Sequence, residues 1–210
     1  MDEWGNYFYE GTCVLKNKFG IKDKEELEQK EKQITLKKLA FLEIFPINGN
    51  FDAEHLKKIH HFLFNDIYYF AGEYRKCTMA KTTRNFYDPQ YIKTYLDDAL
   101  KNMNNKVNEI VSIEGYACFL SETYYELMTI HPFREGNGRS VREFLREFVL
   151  YKNNALPFSV ELDFSKMNKE DALKAVEYHY LYPSMLDMEF MKALVPLDVK
   201  QKDKISEKAL

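Results

Sequence analysis

Residues 114–129 carry apolar side chains on nearly every face of a helix: Tyr116, Ala117, Cys118, Phe119, Leu120, Tyr124, Leu127 and Met128. A helix without a polar face has to lie at the centre of a bundle, so the rest of the chain must wrap around it. Residues 88–107 open on Asp88-Pro89 and repeat Ile92, Tyr95, Leu96, Ala99, Leu100, Met103 and Val107 at helical spacing. Residues 138–151 place Val141, Phe144, Leu145, Phe148 and Val149 on one inward stripe. Asp52 can cap a helix running to about residue 69, with Leu56, Ile59 and Leu63 inward and Gly72 ending it. Residues 23–45 are charged, with Leu27, Ile34 and Phe41 seven apart, which predicts an amphipathic helix buried along those positions. Two more helical stretches fall near 169–180 and 184–194. The expected fold class is mainly α, a helical bundle.

Residues 73–88 break this pattern. They hold Cys77, Thr78, Thr82, Thr83 and Tyr87 without a helical period, which predicts a short β-hairpin. No repeat or linker divides the 210 residues. A single domain 1–210 is expected, with an N-terminal helical region 1–51, a core of about 52–195 and a polar tail 199–210. A hydrophobic content of 45% supports a packed core over most of the length. The net charge of −3 argues against a dedicated nucleic-acid binder, which carries a basic excess. No apolar run approaches the roughly 20 residues that span a bilayer. The start, Met1-Asp2-Glu3, lacks the basic-then-apolar order of a secretory signal. Cys13, Cys77 and Cys118 are odd in number and far apart, which reads as reduced thiols of a cytoplasmic protein.

Chemistry concentrates in one run, His131-Pro132-Phe133-Arg134-Glu135-Gly136-Asn137-Gly138-Arg139-Ser140-Val141-Arg142, between the most apolar helix and a strongly amphipathic one. Glycines on both sides of Asn137 permit left-handed backbone, so successive N–H groups can converge on an anion. The next helix adds its positive end to the same place. Arg139 and Arg142, three apart, share one face of its first turn, away from the apolar stripe. Nest, dipole and two guanidiniums describe a polyphosphate site. Glu135 would repel a bare anion, and a divalent cation resolves that conflict, because Mg²⁺ is held by one or two carboxylates plus phosphate oxygens. His131 has the ordinary pKa that suits proton abstraction near neutrality. His60 and His61 have no partner at metal spacing and read as packing or surface residues.

This run resembles the signature of the Fic family, His-Pro-Phe-x-(Asp/Glu)-Gly-Asn-Gly-Arg-x-x-Arg, at every defined position. Similarity extends through Leu15-Lys16-Asn17-Lys18, Phe51-Asp52, His55-Leu56, Ile59-His60 and the stretch from Leu63 to Arg75. The resemblance implies that His131 takes the proton from a target hydroxyl and that Glu135 holds Mg²⁺. It implies that Gly136, Asn137 and Gly138 line a phosphate nest, while Arg139 and Arg142 bind the distal phosphates of ATP. It makes residues 73–88 the flap beside the active-site loop that holds the target protein, with Lys81, Thr82 and Phe86 at its tip. The implied activity is protein adenylyltransfer, moving AMP from ATP to a Tyr, Thr or Ser hydroxyl. Gly138 argues against the kinase-like branch, which has lysine there. Transfer of UMP or another phosphate-containing group stays open, as does nucleotide binding without catalysis.

Many members of the family carry, or borrow, a helix with Ser/Thr-x-x-x-Glu-Gly/Asn whose glutamate pairs with the second motif arginine, here Arg142. The sequence has no match. Ser112-Ile113-Glu114-Gly115 has the wrong spacing, Thr35 has no glutamate four residues on, and Ser206 lies too near the end. By resemblance to toxin-type members, the inhibitory element is expected in a separate small, antitoxin-like protein or outside these 210 residues. No membrane partner is expected, and a homo-oligomer is left open.

Overall fold

A computed structural model of the chain describes residues 7–81 and 84–197, and the side chains of all of these except Lys81 and Arg84. Seven α-helices appear among the described residues: α1 Lys24–Ile44, α2 Ala53–Phe64, α3 Ile92–Lys106, α4 Ile113–Ile130, α5 Asn137–Lys152, α6 Lys169–Glu177 and α7 Pro183–Ala193. Local chemistry sets their starts. The side chains of Asp23, Asp52, Ser112 and Asn168 each accept a backbone N–H in the first turn of α1, α2, α4 and α6. Asp88 caps a short 3₁₀ turn, Pro89–Tyr91, that leads into α3.

The wholly apolar segment forms α4, the central helix. It packs against α3, α5 and α7, while α2 packs on α5 and on α1. Tyr116, Leu120, Leu127, Phe133, Phe144 and Phe148 fill the space between them, all inaccessible to solvent. Two small antiparallel pairs complete the fold. Strands β1 Ala80–Lys81 and β2 Arg84–Asn85 form the expected hairpin, with Ala80 opposite Asn85 and Lys81 opposite Arg84. Strands β3 Val160–Leu162 and β4 Leu194–Pro196 join the end of the fold to the segment after α5. Three residues of alternation were too few to predict that second pair from sequence.

Two sequence expectations need correction. Helix α2 stops at Phe64, not near residue 69, and a run of turns leads to Gly72 with φ 84°. In α1 the buried face is not Leu27, Ile34 and Phe41, because Phe41 is 49% exposed and lies on Phe45 and Phe62. The buried positions are Leu27, Thr35 and Leu42. Polar groups occupy part of the inward stripe, for a reason that lies in the active-site loop.

Candidate active site

Helix α4 ends at His131, whose backbone turns left-handed, φ 50° and ψ 61°. For a residue with a β-carbon that conformation costs on the order of 1–2 kcal/mol, so the surroundings must impose it. The His131 N–H donates to Leu127 O at 3.0 Å, and its C=O accepts from Arg75 Nε at 2.8 Å. The imidazole Nδ1 lies 3.3 Å from Met128 O. A carbonyl only accepts, so Nδ1 carries the proton and Nε2 carries the lone pair. The ring of Phe86 stacks on the imidazole, with centroids 3.8 Å apart and planes 7° apart.

The loop that follows is closed by Asn137. Its side chain is buried, accepts from Phe133 N–H at 2.8 Å and donates to Phe133 C=O at 2.7 Å. Asn137 therefore shapes the loop with its side chain and offers only its backbone N–H to a ligand. Gly136 caps α5 at φ 83°, and a β-carbon there would meet Phe64 Cζ at 2.3 Å, so no other residue fits. The N–H groups of Asn137, Gly138 and Arg139 precede the first backbone bond of α5, Ser140 N–H to Gly136 C=O, and make no hydrogen bond among the described residues. Unpartnered N–H groups at a helix start are the kind of donors an anion can use.

His60 holds the loop from below. Its Nδ1 accepts from Gly72 N–H at 2.8 Å, which leaves Nε2–H to donate to Glu135 C=O at 2.9 Å. The ring stacks on Phe133 at 3.8 Å. Burial pushes this imidazole down to about 4, with the Arg139 charge acting in the same direction and the bond to Glu135 opposing it. The packing role read for His60 thus holds, with a loop contact added to it. Arg134, at an unspecified motif position, is buried with its guanidinium 4.9 Å from the ring centre of Phe8 and 5.7 Å from that of Tyr7.

The motif's charged groups divide into paired and free. Glu135 is 43% exposed at its side chain, and Oε1 accepts from Gly136 N–H at 2.9 Å. Arg139 Nη2 reaches Glu31 Oε1 of α1 at 2.6 Å and Glu135 Oε1 at 3.5 Å, while Nη1 lies 3.4 Å from Thr35 Oγ1. Its guanidinium also stands 4.7 Å from the centre of the Phe64 ring. The Tyr68 hydroxyl donates to the other oxygen of Glu31. Arg142 makes no hydrogen bond or ion pair among the described residues, and its Nη1 lies 3.2 Å from where a β-carbon on Gly138 would be. A groove of about 490 Å³ borders Arg139 and Arg142, walled by Leu39 and Glu43 of α1 and by residues 160–165, and it does not reach His131.

The structure therefore brings His131, Glu135, Gly136, Asn137, Gly138, Arg139 and Arg142 into one place. Phe86 is not at the flap tip. It follows β2, pairs its N–H with Met79 C=O at 3.1 Å, and lies over the His131 ring. Lys81 is in β1, and Thr82 lies outside the described residues. Sequence reasoning passed over Arg75, whose guanidinium touches the backbone of His131, and Glu31. The signal for Glu31 was its place on the same face of α1 as Leu27 and Thr35.

Comparison with known proteins adds to this geometry. A family model described as the Fic/DOC family matches residues 50–149. A probable protein adenylyltransferase of Sinorhizobium fredii, y4lH, is 32% identical over 170 residues, covering 80% of this chain and 84% of that protein. The chain belongs to the Fic/DOC family. Its Fic fold is also 28% identical over 199 residues to the protein adenylyltransferase VbhT of Bartonella schoenbuchensis, and spans 93% of this chain but 40% of that protein's length. Among solved structures, the BepC protein of Bartonella tribocorum with bound AMPPNP superimposes with a TM-score of 0.83 at 27% identity, covering 94% of this chain and 99% of that one. The N-terminal Fic domain of a cell filamentation protein of Bartonella quintana with bound ADP gives 0.83 at 26% identity, covering 92% and 96%. No helix among the described residues is long and apolar enough to cross a membrane.

Proposed function

We propose that this Fic domain transfers AMP from ATP to a hydroxyl side chain of a target protein. The observation that carries the reading is the convergence of His131, with its lone pair on Nε2, and the open N–H nest at the start of α5. ATP's phosphates sit on the nest and on the dipole of α5, and Arg142, unpaired among the described residues, takes the γ-phosphate. His131 Nε2 accepts the proton of the target hydroxyl as its oxygen bonds to the α-phosphorus. The bond from that phosphorus to its bridging oxygen breaks, and pyrophosphate leaves. Catalysis of this kind rests on positioning and charge neutralisation, which so small a set of groups can supply.

No group of three or more His, Cys, Asp or Glu side chains that could hold a metal occurs among the described residues. One exposed carboxylate, Glu135, stands at the nest. That donor set fits Mg²⁺, which takes a single carboxylate and completes its shell with phosphate oxygens and water. Bound there, the ion would neutralise charge on the phosphates. Names of relatives support AMP as the transferred group: VbhT and y4lH are called adenylyltransferases, and the BepC structure holds an ATP analogue.

Regulation follows from the pairing of the two arginines. Arg139 already has a carboxylate from its own chain, and Arg142 has none among the described residues. We propose that a separate small helical protein, bearing Ser/Thr-x-x-x-Glu-Gly, lays its glutamate on Arg142 from the neighbouring groove. The test of the activity uses ATP labelled at either end and a bacterial lysate. α-label on protein supports AMP transfer, γ-label would mean phosphorylation, and neither would reduce the domain to binding.

A further inference from the structure

We propose that Arg75 is a positioning residue that holds the general base and both legs of the flap to a single group. Arg75 is 1% exposed and has no carboxylate within ion-pair distance among the described residues. All its partners are main-chain carbonyls. Nε donates to His131 O at 2.8 Å, Nη1 to Cys77 O at 2.7 Å, and Nη2 to Tyr87 O and, at 3.3 Å, to Ile130 O. Its own N–H donates to Pro132 O at 2.8 Å.

These carbonyls belong to two segments. Cys77 and Tyr87 flank the hairpin β1–β2 on its two sides, and Ile130, His131 and Pro132 are the end of α4 and the start of the motif loop. The buried cation is balanced by the negative end of α4 and by peptide dipoles, with the Asp88 carboxylate adding to them from beyond ion-pair distance. A planar fork spreads five donors over three nitrogens and so spans four carbonyls, whereas an ammonium carries its three donors on a single nitrogen and cannot cover that width. The contact also explains how His131 is kept left-handed while Phe86, one residue from Tyr87, covers its ring. Target placement and base placement thus share one anchor, and a target lying along the flap arrives in register with Nε2.

The inference rests on the AMP-transfer reading only for its kinetic consequence, so its structural arm is tested without activity. Hydrogen exchange is measured on the chain and on Arg75→Lys, which keeps the charge and loses the fork. Amides of 77–87 and of 131–134 are expected to exchange at least about tenfold faster together, with those of α3 unchanged. Acceleration of one segment alone, of neither, or of the whole fold equally would overturn the proposal. In the kinetic arm, transfer of α-label to the lysate proteins should fall at least about tenfold in Arg75→Lys, while affinity for AMPPNP by calorimetry stays within about twofold. A parallel loss of AMPPNP binding would make Arg75 a general stabiliser. If the lysine variant does not fold, Arg75→Ala is assayed with methylguanidinium against methylammonium. Greater restoration of hydrogen-exchange protection at both segments by the guanidinium supports the anchor, and equal effects contradict it. An unsubstituted chain that moves no α-label would contradict the activity alone and leave the exchange result standing.

Discussion

The ring of Phe86 lies flat against the imidazole of His131, 3.8 Å between centroids and 7° from parallel. Residues 73–88 therefore touch the imidazole that the proposed reading makes the base. Such pairs contribute about 0.5–1.5 kcal/mol beyond burial. Phe86→Ala is expected to lower kcat about threefold to tenfold with AMPPNP affinity unchanged, and Phe86→Tyr to retain most of the rate. Steady-state rates and calorimetry on both variants check this, and an unchanged kcat in the alanine variant would remove the contact from the account.

Glu31 and Arg139 are linked across α1 and α5 at 2.6 Å, with side chains 12% and 23% exposed. Glu31→Gln and Arg139→Gln should each destabilise the fold, and the double variant should lose less than the sum. A coupling of about 1 kcal/mol is expected from urea unfolding of the four proteins, within the range for a partly screened pair. Strict additivity would show that the ion pair contributes nothing.

That pair also marks where sequence reading stopped. The helices were legible because apolar residues at helical spacing and a cap such as Asp52 act locally. The candidate site from His131 to Arg142 could be proposed from sequence because one loop carries all of it. Helix α1 misled because its inward face turns toward that loop. There Glu31 and Thr35 meet Arg139 where an apolar stripe would have Leu or Ile, and Phe41 is left outside. Arg75 was illegible for another reason. Its partners are carbonyls, which every residue has, so no side-chain pattern announces them.

His60 makes the fold sensitive to acid. Its folded value of about 4 lies below the ordinary 6.5, so the unfolded chain binds the extra proton. The stability it contributes is fully present above about pH 6.5 and is lost as pH falls toward 4. Between pH 7 and pH 5 that loss amounts to about 2 kcal/mol. His60→Gln should lose less than the unsubstituted chain over the same interval in urea unfolding. An identical pH slope in both proteins would show that the buried imidazole does not set it.

Arg142 is the free motif cation, and nothing described in the chain supplies it with a carboxylate. The chain of residues 1–210 is therefore expected to transfer AMP without truncation or relieving mutation. A small helical protein bearing Ser/Thr-x-x-x-Glu-Gly should silence it, and the same protein with that glutamate replaced by glycine should not. A lone chain that becomes active only when one of its own helices is altered would place the restraint inside it.

The central claim is that His131 acts as the base in AMP transfer, and His131→Ala tests it most directly. A general base acts in the transition state, while the nest, Arg142 and the α5 dipole hold the phosphates. With α-labelled ATP and lysate, the variant should lose about 10²–10⁴ in transfer rate. Its affinity for AMPPNP and its melting temperature should stay close to those of the unsubstituted chain. A variant that folds, binds and still transfers AMP at most of the original rate would contradict the assignment.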